Sequence, residues 1–246
     1  MTEERIEQVA ESLVSLGYEG VAQFDRTEPE YSFIVAACEE FDSDAHVALL
    51  SILAATQDYQ LAGDAQRFWR TLEDSLQERE NLASESDVKE TLAELLAQSV
   101  NARLREQKKD RLVRMVDYGF GEWFLESYPD VDPVRVWEEI AAALDTTQEK
   151  KTVVLAMKIY DIFHLILNGE YLALPMGVPI PCDLQVERVA AASGIVEQDE
   201  KESVVEAWAR VMEQVNAELD RPVSMLRIDS IVWQCRTDHL GQQRPS

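Results

Sequence analysis

Apolar residues recur along this chain with the 3.6-residue period of an amphipathic helix, and almost nowhere with the two-residue period of a strand. Ile6, Val9, Leu13 and Leu16 share one face of a segment that Gly17 should end. Breakers are sparse, at 9 Gly and 8 Pro. Few turn signals and no alternating runs predict an all-α fold, and 246 residues suffice for a substantial core.

The same period predicts the elements. Pro29 sits in a first turn before Tyr31–Glu40, and Asp44 caps a helix reaching Tyr59. Leu61 to Asp64 is a turn whose Asp64 caps the helix carrying Trp69. Ser86 or Asp87 starts a long helix towards Arg105. Asp132-Pro133 opens a helix to Leu144. After a short turn a second helix runs from about Gln148 to Asn168, ended by Gly169. Prolines 175, 179 and 181 keep Leu174–Cys182 extended, and Asp183 caps the next helix. Helices are expected over Glu197–Leu219 and Pro222–Cys235, and disorder from Gly241.

Charge narrows the function classes. Asp and Glu number 47 against 23 Lys and Arg, a formal net charge of -24. Such a balance ordinarily repels nucleic acid. The acids are dispersed rather than blocked, and only seven of the bases are Lys, a pattern that fits a protein adapted to a salt-rich, halophilic cytoplasm. The apolar run Thr152–Asn168 is too short for a membrane span and is broken by Lys158, Asp161 and His164. No signal peptide is evident, so a cytoplasmic location is expected. Cys38, Cys182 and Cys235 are scattered without a CxxC pair, so neither a disulfide framework nor a metal site is expected.

Two segments could carry chemistry. Lys150-Lys151-Thr152 falls in the first turn of a helix, where the dipole disfavours a cation. A solvated lysine pair is the bland reading. The functional one is an amine freed to act as a nucleophile, at a helix end whose N–H groups could also bind phosphate. Pro179-Ile180-Pro181-Cys182-Asp183 delivers a carboxylate from a stiff loop, although an N-cap alone would explain Asp183. Arg103, Arg105, Lys108, Lys109, Arg111 and Arg114 put six bases into twelve positions. They read as a phosphate-contacting patch or as a solvated face balanced by Glu106 and Asp110.

A helix–turn–helix carrying Lys, followed about thirty residues later by a Pro-bounded Asp, resembles the helix-hairpin-helix DNA glycosylases. More specifically it resembles the archaeal GO glycosylases. The resemblance rests on Gln148–Val154, Leu174-Pro175, Val178–Asp183 and Leu226–Trp233, in that order, with weaker likeness from Ser15 to Cys235. It implies two helical subdomains, approximately 20–125 and 126–240, with the active site between them and the N-terminal helix packing with the second.

The resemblance also implies a bifunctional enzyme that excises 8-oxoguanine from double- or single-stranded DNA and cleaves the strand, acting as a monomer without a cofactor. Lys151 matches the Schiff-base lysine and Asp183 the catalytic aspartate. Trp69, Pro181, Asp229 and Trp233 match residues of the base pocket, with core packing the plain alternative for both tryptophans. Leu155 stands where the family has an aromatic, and Glu30 where it has a glutamine. The hairpin Leu144–Glu149 lacks the usual glycine. The competing class is a helical DNA-binding or protein-interaction domain without catalysis; retention of both Lys151 and Asp183 argues against it.

Overall fold

The computed structural model describes residues 2–77, 79–196 and 203–235, and every regular element among them is helical. Among the described residues twelve α-helices follow one another: α1 Thr2–Asp25, α2 Pro29–Glu40, α3 Asp44–Ala55, α4 Ala65–Gln77, α5 Glu85–Ala97 and α6 Arg105–Tyr118. Then come α7 Phe120–Ser127, α8 Pro133–Ala143, α9 Lys151–Asn168, α10 Leu184–Ser193, α11 Ser203–Glu218 and α12 Asp229–Gln234. The expected tail from Gly241 and the start of the helix expected from Glu197 lie outside the described residues.

The chain forms two compact units. One comprises Thr27–Ala173; the other joins Met1–Arg26 to Leu174–Ser246. In the first, α3 is apolar all round, and Val47 to Ala55 are all buried. A helix apolar on every side must be covered on every side. α9 provides its most extensive partner, and α2, α5 and α7 also pack against it. In the second unit α1 lies along α11, with Ile6, Ala10, Leu13, Trp208, Val211 and Val215 in a core shared with α10 and α12.

Several boundaries differ from the sequence reading. Gly17 breaks α1 with φ 65° and ψ 177°, but the chain resumes helix through Asp25. Ser43 rather than Asp44 precedes α3, which ends at Ala55 instead of running to Tyr59. The single helix expected towards Arg105 is three pieces. α5 is closed at its start by a reciprocal Ser84–Asp87 capping box. A 3₁₀ turn, Ser99–Asn101, comes next, and Leu104 takes φ 53° before α6. Helix propensity carries no information about the tertiary contacts that break this stretch. Likewise Pro222–Cys235 begins as coil, passes through a 3₁₀ turn Met225–Ile228, and only then becomes α12. Asp64, Asp132 and Asp183 accept backbone N–H bonds at the starts of α4, α8 and α10, as their positions predict.

One buried cation fastens α6 to the rest of its unit. Lys108 is 0% exposed. Its ammonium donates to Asn101 Oδ1 at 2.7 Å and lies 5.0 Å from the Tyr59 ring centroid. Asn101 in turn donates to the Leu95 carbonyl. Burial pulls the Lys108 pKa down to about 8. A lysine whose folded pKa lies below its unfolded one binds fewer protons when folded, so it adds stability as pH rises from about 8. Wild-type stability minus that of Lys108→Met should therefore grow by on the order of 1 kcal/mol between pH 8 and 9, read by urea denaturation. A difference that stays flat across that interval would mean Lys108 is not a buried cation.

Candidate active site

The loop between α8 and α9 sets the position of the lysine pair. Without a glycine, the turn out of α8 uses Asp145 in the left-handed region, at φ 51°. Short polar side chains tolerate that conformation better than most. Asp145 N–H bonds the Ala142 carbonyl and Thr146 N–H the Ala141 carbonyl, the paired bonds of a Schellman closure. Trp137 Nε1 on α8 donates to the Gln148 carbonyl at 2.8 Å and pins the loop.

α9 starts three residues later than expected. Lys150 is its N-cap residue and exposed, whereas Lys151 is the first helical residue and half-buried. The two adjacent lysines thus occupy different environments. Val153 and Val154 are buried just beyond, each contributing roughly 1.5–3 kcal/mol of transfer free energy that anchors this end of the helix. Leu155, half-buried, lies one helical turn after Lys151 on the same face.

The same unit gathers a charged cluster that motif reading missed. Glu30 and Lys158 are 5% and 4% exposed and form an ion pair with Nζ 3.5 Å from Oε1. Trp69 is buried, packs against Phe33 and Phe68, and donates its indole N–H to Asp58 at 3.1 Å. Burial raises the Asp58 pKa to about 6 and the negative charge of Glu30 adds to it; the Trp69 hydrogen bond, Lys151 and Lys108 oppose that rise. Glu30, Asp58, Trp69, Lys108 and Lys151 therefore lie close enough for their charges or hydrogen bonds to interact through Asp58. Asp58 belongs to no motif, and its neighbours come from four helices. Lys158 did leave a trace, as a cation inside an apolar helix; Asp161, interrupting the same run, accepts the Leu172 N–H at 2.7 Å.

The second unit holds the other residues singled out by the sequence. Asp183 Oδ1 accepts the N–H groups of Gln185 and Val186, at 2.9 and 3.2 Å, fixing the carboxylate at the α10 N-terminus. Pro181 is buried just before it. Asp229 and Trp233 lie one turn apart on α12, Asp229 buried and Trp233 50% exposed. Gln185 Nε2 bonds the Cys235 carbonyl and ties α10 to the end of α12.

The basic stretch divides by environment. Lys108 is inside, where a phosphate cannot reach its ammonium without opening the core. Arg111 lies over the Tyr59 ring and donates to the Thr56 carbonyl, and Arg105 and Arg114 donate to the Gln98 and Leu144 carbonyls. Arg103 and Lys109 are exposed, Lys109 paired with Glu106. Among the described residues no group of three or more His, Cys, Asp or Glu side chains could hold a metal, and no helix is long and apolar enough to cross a membrane.

The all-helical fold and the match to a family model over nearly the whole chain make this a DNA N-glycosylase/lyase. The chain belongs to the AGOG family of N-glycosylase/DNA lyases, whose family model matches residues 10–244. A Pyrobaculum aerophilum N-glycosylase/DNA lyase is 22% identical over 235 residues, covering 94% of this chain and 86% of its own. A Thermococcus kodakarensis N-glycosylase/DNA lyase is 26% identical over 234 residues, covering 94% and 84%. In fold the chain resembles the crystal structure of an 8-oxoguanine DNA glycosylase from Pyrobaculum aerophilum in complex with 8-oxoguanosine. That match has a TM-score of 0.76 and 19% identity, over 94% of this chain and 87% of that one.

The Glu30–Lys158 pair can be tested without DNA. Glu30→Gln, Lys158→Met and the double variant should show a coupling of at least about 1 kcal/mol in a denaturation cycle, because each single change leaves a buried charge without this partner. Single-variant losses that simply add would deny the pair any energetic role.

Proposed function

We propose that this enzyme excises 8-oxoguanine from DNA and then cleaves the strand, with Lys151 as the nucleophile. The observation that carries the reading is the unequal lysine pair: Lys151 is half-buried at the start of α9 and within charge range of Asp58, while Lys150 is exposed. The target nucleotide must leave the base stack to be attacked. Lys151 Nζ then forms a bond to C1′ as the N-glycosidic bond breaks, and the base departs with the bonding pair and takes up a proton. The Schiff base on the opened sugar acidifies the C2′ hydrogen, and its loss expels the 3′ phosphate. Asp183 supplies a fixed negative charge for the cationic sugar. By the family likeness Trp69 and Leu155 of the first unit, and Pro181, Asp229 and Trp233 of the second, correspond to base-contacting residues. Leu155 gives an apolar face with less stacking energy than an aromatic would.

Glu30 reads the lesion. Oxidation at C8 turns guanine N7 from an acceptor into an N–H donor. A carboxylate there accepts that bond and repels the lone pair of normal guanine, whereas a glutamine can rotate to present its amide. Phosphate contacts fall to the accessible members of the basic stretch, Arg103 and Lys109, supported by Arg105, Arg111 and Arg114. A catalytically silent DNA-binding domain is the alternative, and nothing in the site favours it.

Borohydride trapping on duplex DNA containing 8-oxoguanine decides between them. Lys151→Ala should abolish both the covalent adduct and base release, while Lys150→Ala keeps both near wild type; the reverse pattern would move the nucleophile by one residue.

The net charge supports adaptation to high salt, where screening falls to a few ångströms and 47 carboxylates cease to repel one another. Thermal unfolding temperature and trapping yield should both rise as KCl increases to molar levels; a protein most stable and active in dilute buffer would refute this.

A further inference from the structure

We infer that Leu104 is the side chain that enters the DNA base stack when the target nucleotide leaves it. This rests on the glycosylase reading above. A vacated position in a duplex is an apolar slot flanked by phosphates, so its natural filler is an apolar side chain flanked by cations. Leu104 is 48% exposed and stands between Arg103 and Arg105, in the basic stretch of a chain whose net charge is -24.

Its mounting is stiff. Asn101 beneath it is buried and bonded to the Leu95 carbonyl and to Lys108. The Val100 carbonyl accepts the Ala62 N–H, the Gln98 carbonyl accepts from Arg105, and the Leu104 carbonyl accepts the Lys108 N–H at 2.9 Å. Ala102, Arg103 and Leu104 rise, exposed, from this frame. At Leu104 the backbone adopts φ 53°, a region glycine enters freely and leucine rarely. With 48% of its surface open to solvent, Leu104 is not a core position whose packing would demand a leucine. An exposed apolar group held in an unfavourable backbone conformation points to work done outside the folded chain.

The tip and the lysine belong to the same unit. Lys108, one turn along from Leu104, shares a charge interaction with Asp58, and Asp58 shares another with Lys151. Leu104 and Lys151 are thus carried by one compact unit, as suits a stack-filling residue and the nucleophile that attacks the extruded sugar.

The experiment compares excision of 8-oxoguanine from duplex and from single-stranded oligonucleotides by wild type, Leu104→Ala, Leu104→Gly and Leu104→Met. A single strand has no paired stack to hold open. Leu104→Ala and Leu104→Gly should lose about tenfold or more on duplex and change less than about twofold on the single strand, while Leu104→Met keeps most duplex activity. Leu104→Gly should also melt no lower than wild type, because glycine accepts the backbone conformation, so lost activity cannot be assigned to unfolding. A second measurement needs no turnover. Binding of the Lys151→Ala protein should raise the fluorescence of a 2-aminopurine placed beside the lesion, and adding Leu104→Ala should remove that rise. Duplex rates and fluorescence unchanged in Leu104→Ala would overturn the assignment while leaving the glycosylase intact. Wild-type protein inactive on both substrates would overturn the glycosylase reading itself.

Discussion

The packing of α9 against α3 is the constraint that fixes where the lysine pair sits. α3 has no polar face and α9 buries two-thirds of its length, so the two helices can satisfy their apolar surface only against each other and the surrounding shell. That contact holds α9 in rotation and along its axis. Once the helix is held, its first residue has nowhere else to go: Lys151 is half inside and Lys150 outside. A one-residue slip would bring the exposed lysine in and push buried valines towards water, at a cost of a few kcal/mol.

Charge is handled differently in the interior and on the surface. Most of the excess carboxylates are spread over the outside, where solvent and salt screen them. Charges taken inside are answered. Glu30 meets Lys158, Asp58 meets Trp69 and the field of two lysines, Lys108 meets Asn101, and Asp25 accepts from Ser230 at 2.5 Å. A buried ionisable group seldom improves stability over an apolar replacement. Their concentration around Trp69 and Lys151 instead matches the perturbed clusters found at functional sites, where field and position are worth more than stability.

The basic stretch shows how one composition can serve two ends. Read as a run, Arg103 to Arg114 is a uniform cationic patch. In the fold, helical rotation sends Lys108 inward and turns Arg105, Arg111 and Arg114 to carbonyls at the ends of neighbouring segments, where cations complement the exposed C=O groups. What stays outside is a small island with Leu104 at its tip, a far more local feature than a patch.

The helical class, most helix starts and the order of the site segments are legible in the chain alone. They are written in local chemistry: the 3.6-residue period, a carboxylate at Asp64, Asp132 or Asp183 within reach of its own N–H groups, prolines that forbid helix after Leu174. The family likeness added which lysine and which aspartate to single out. Tertiary packing was needed to settle where the stretch from Ser86 to Arg105 breaks and which face of α6 is buried. It also brought Asp58 and Lys158, silent in any motif, together with Glu30, Trp69 and Lys151. The grouping of Met1–Arg26 with the C-terminal third is equally a matter of long-range packing. The division comes from range. Caps and periodicity act over a few residues and can be read along the chain, whereas burial, ion pairing and charge coupling act between residues tens of positions apart and exist only once the core has brought them together.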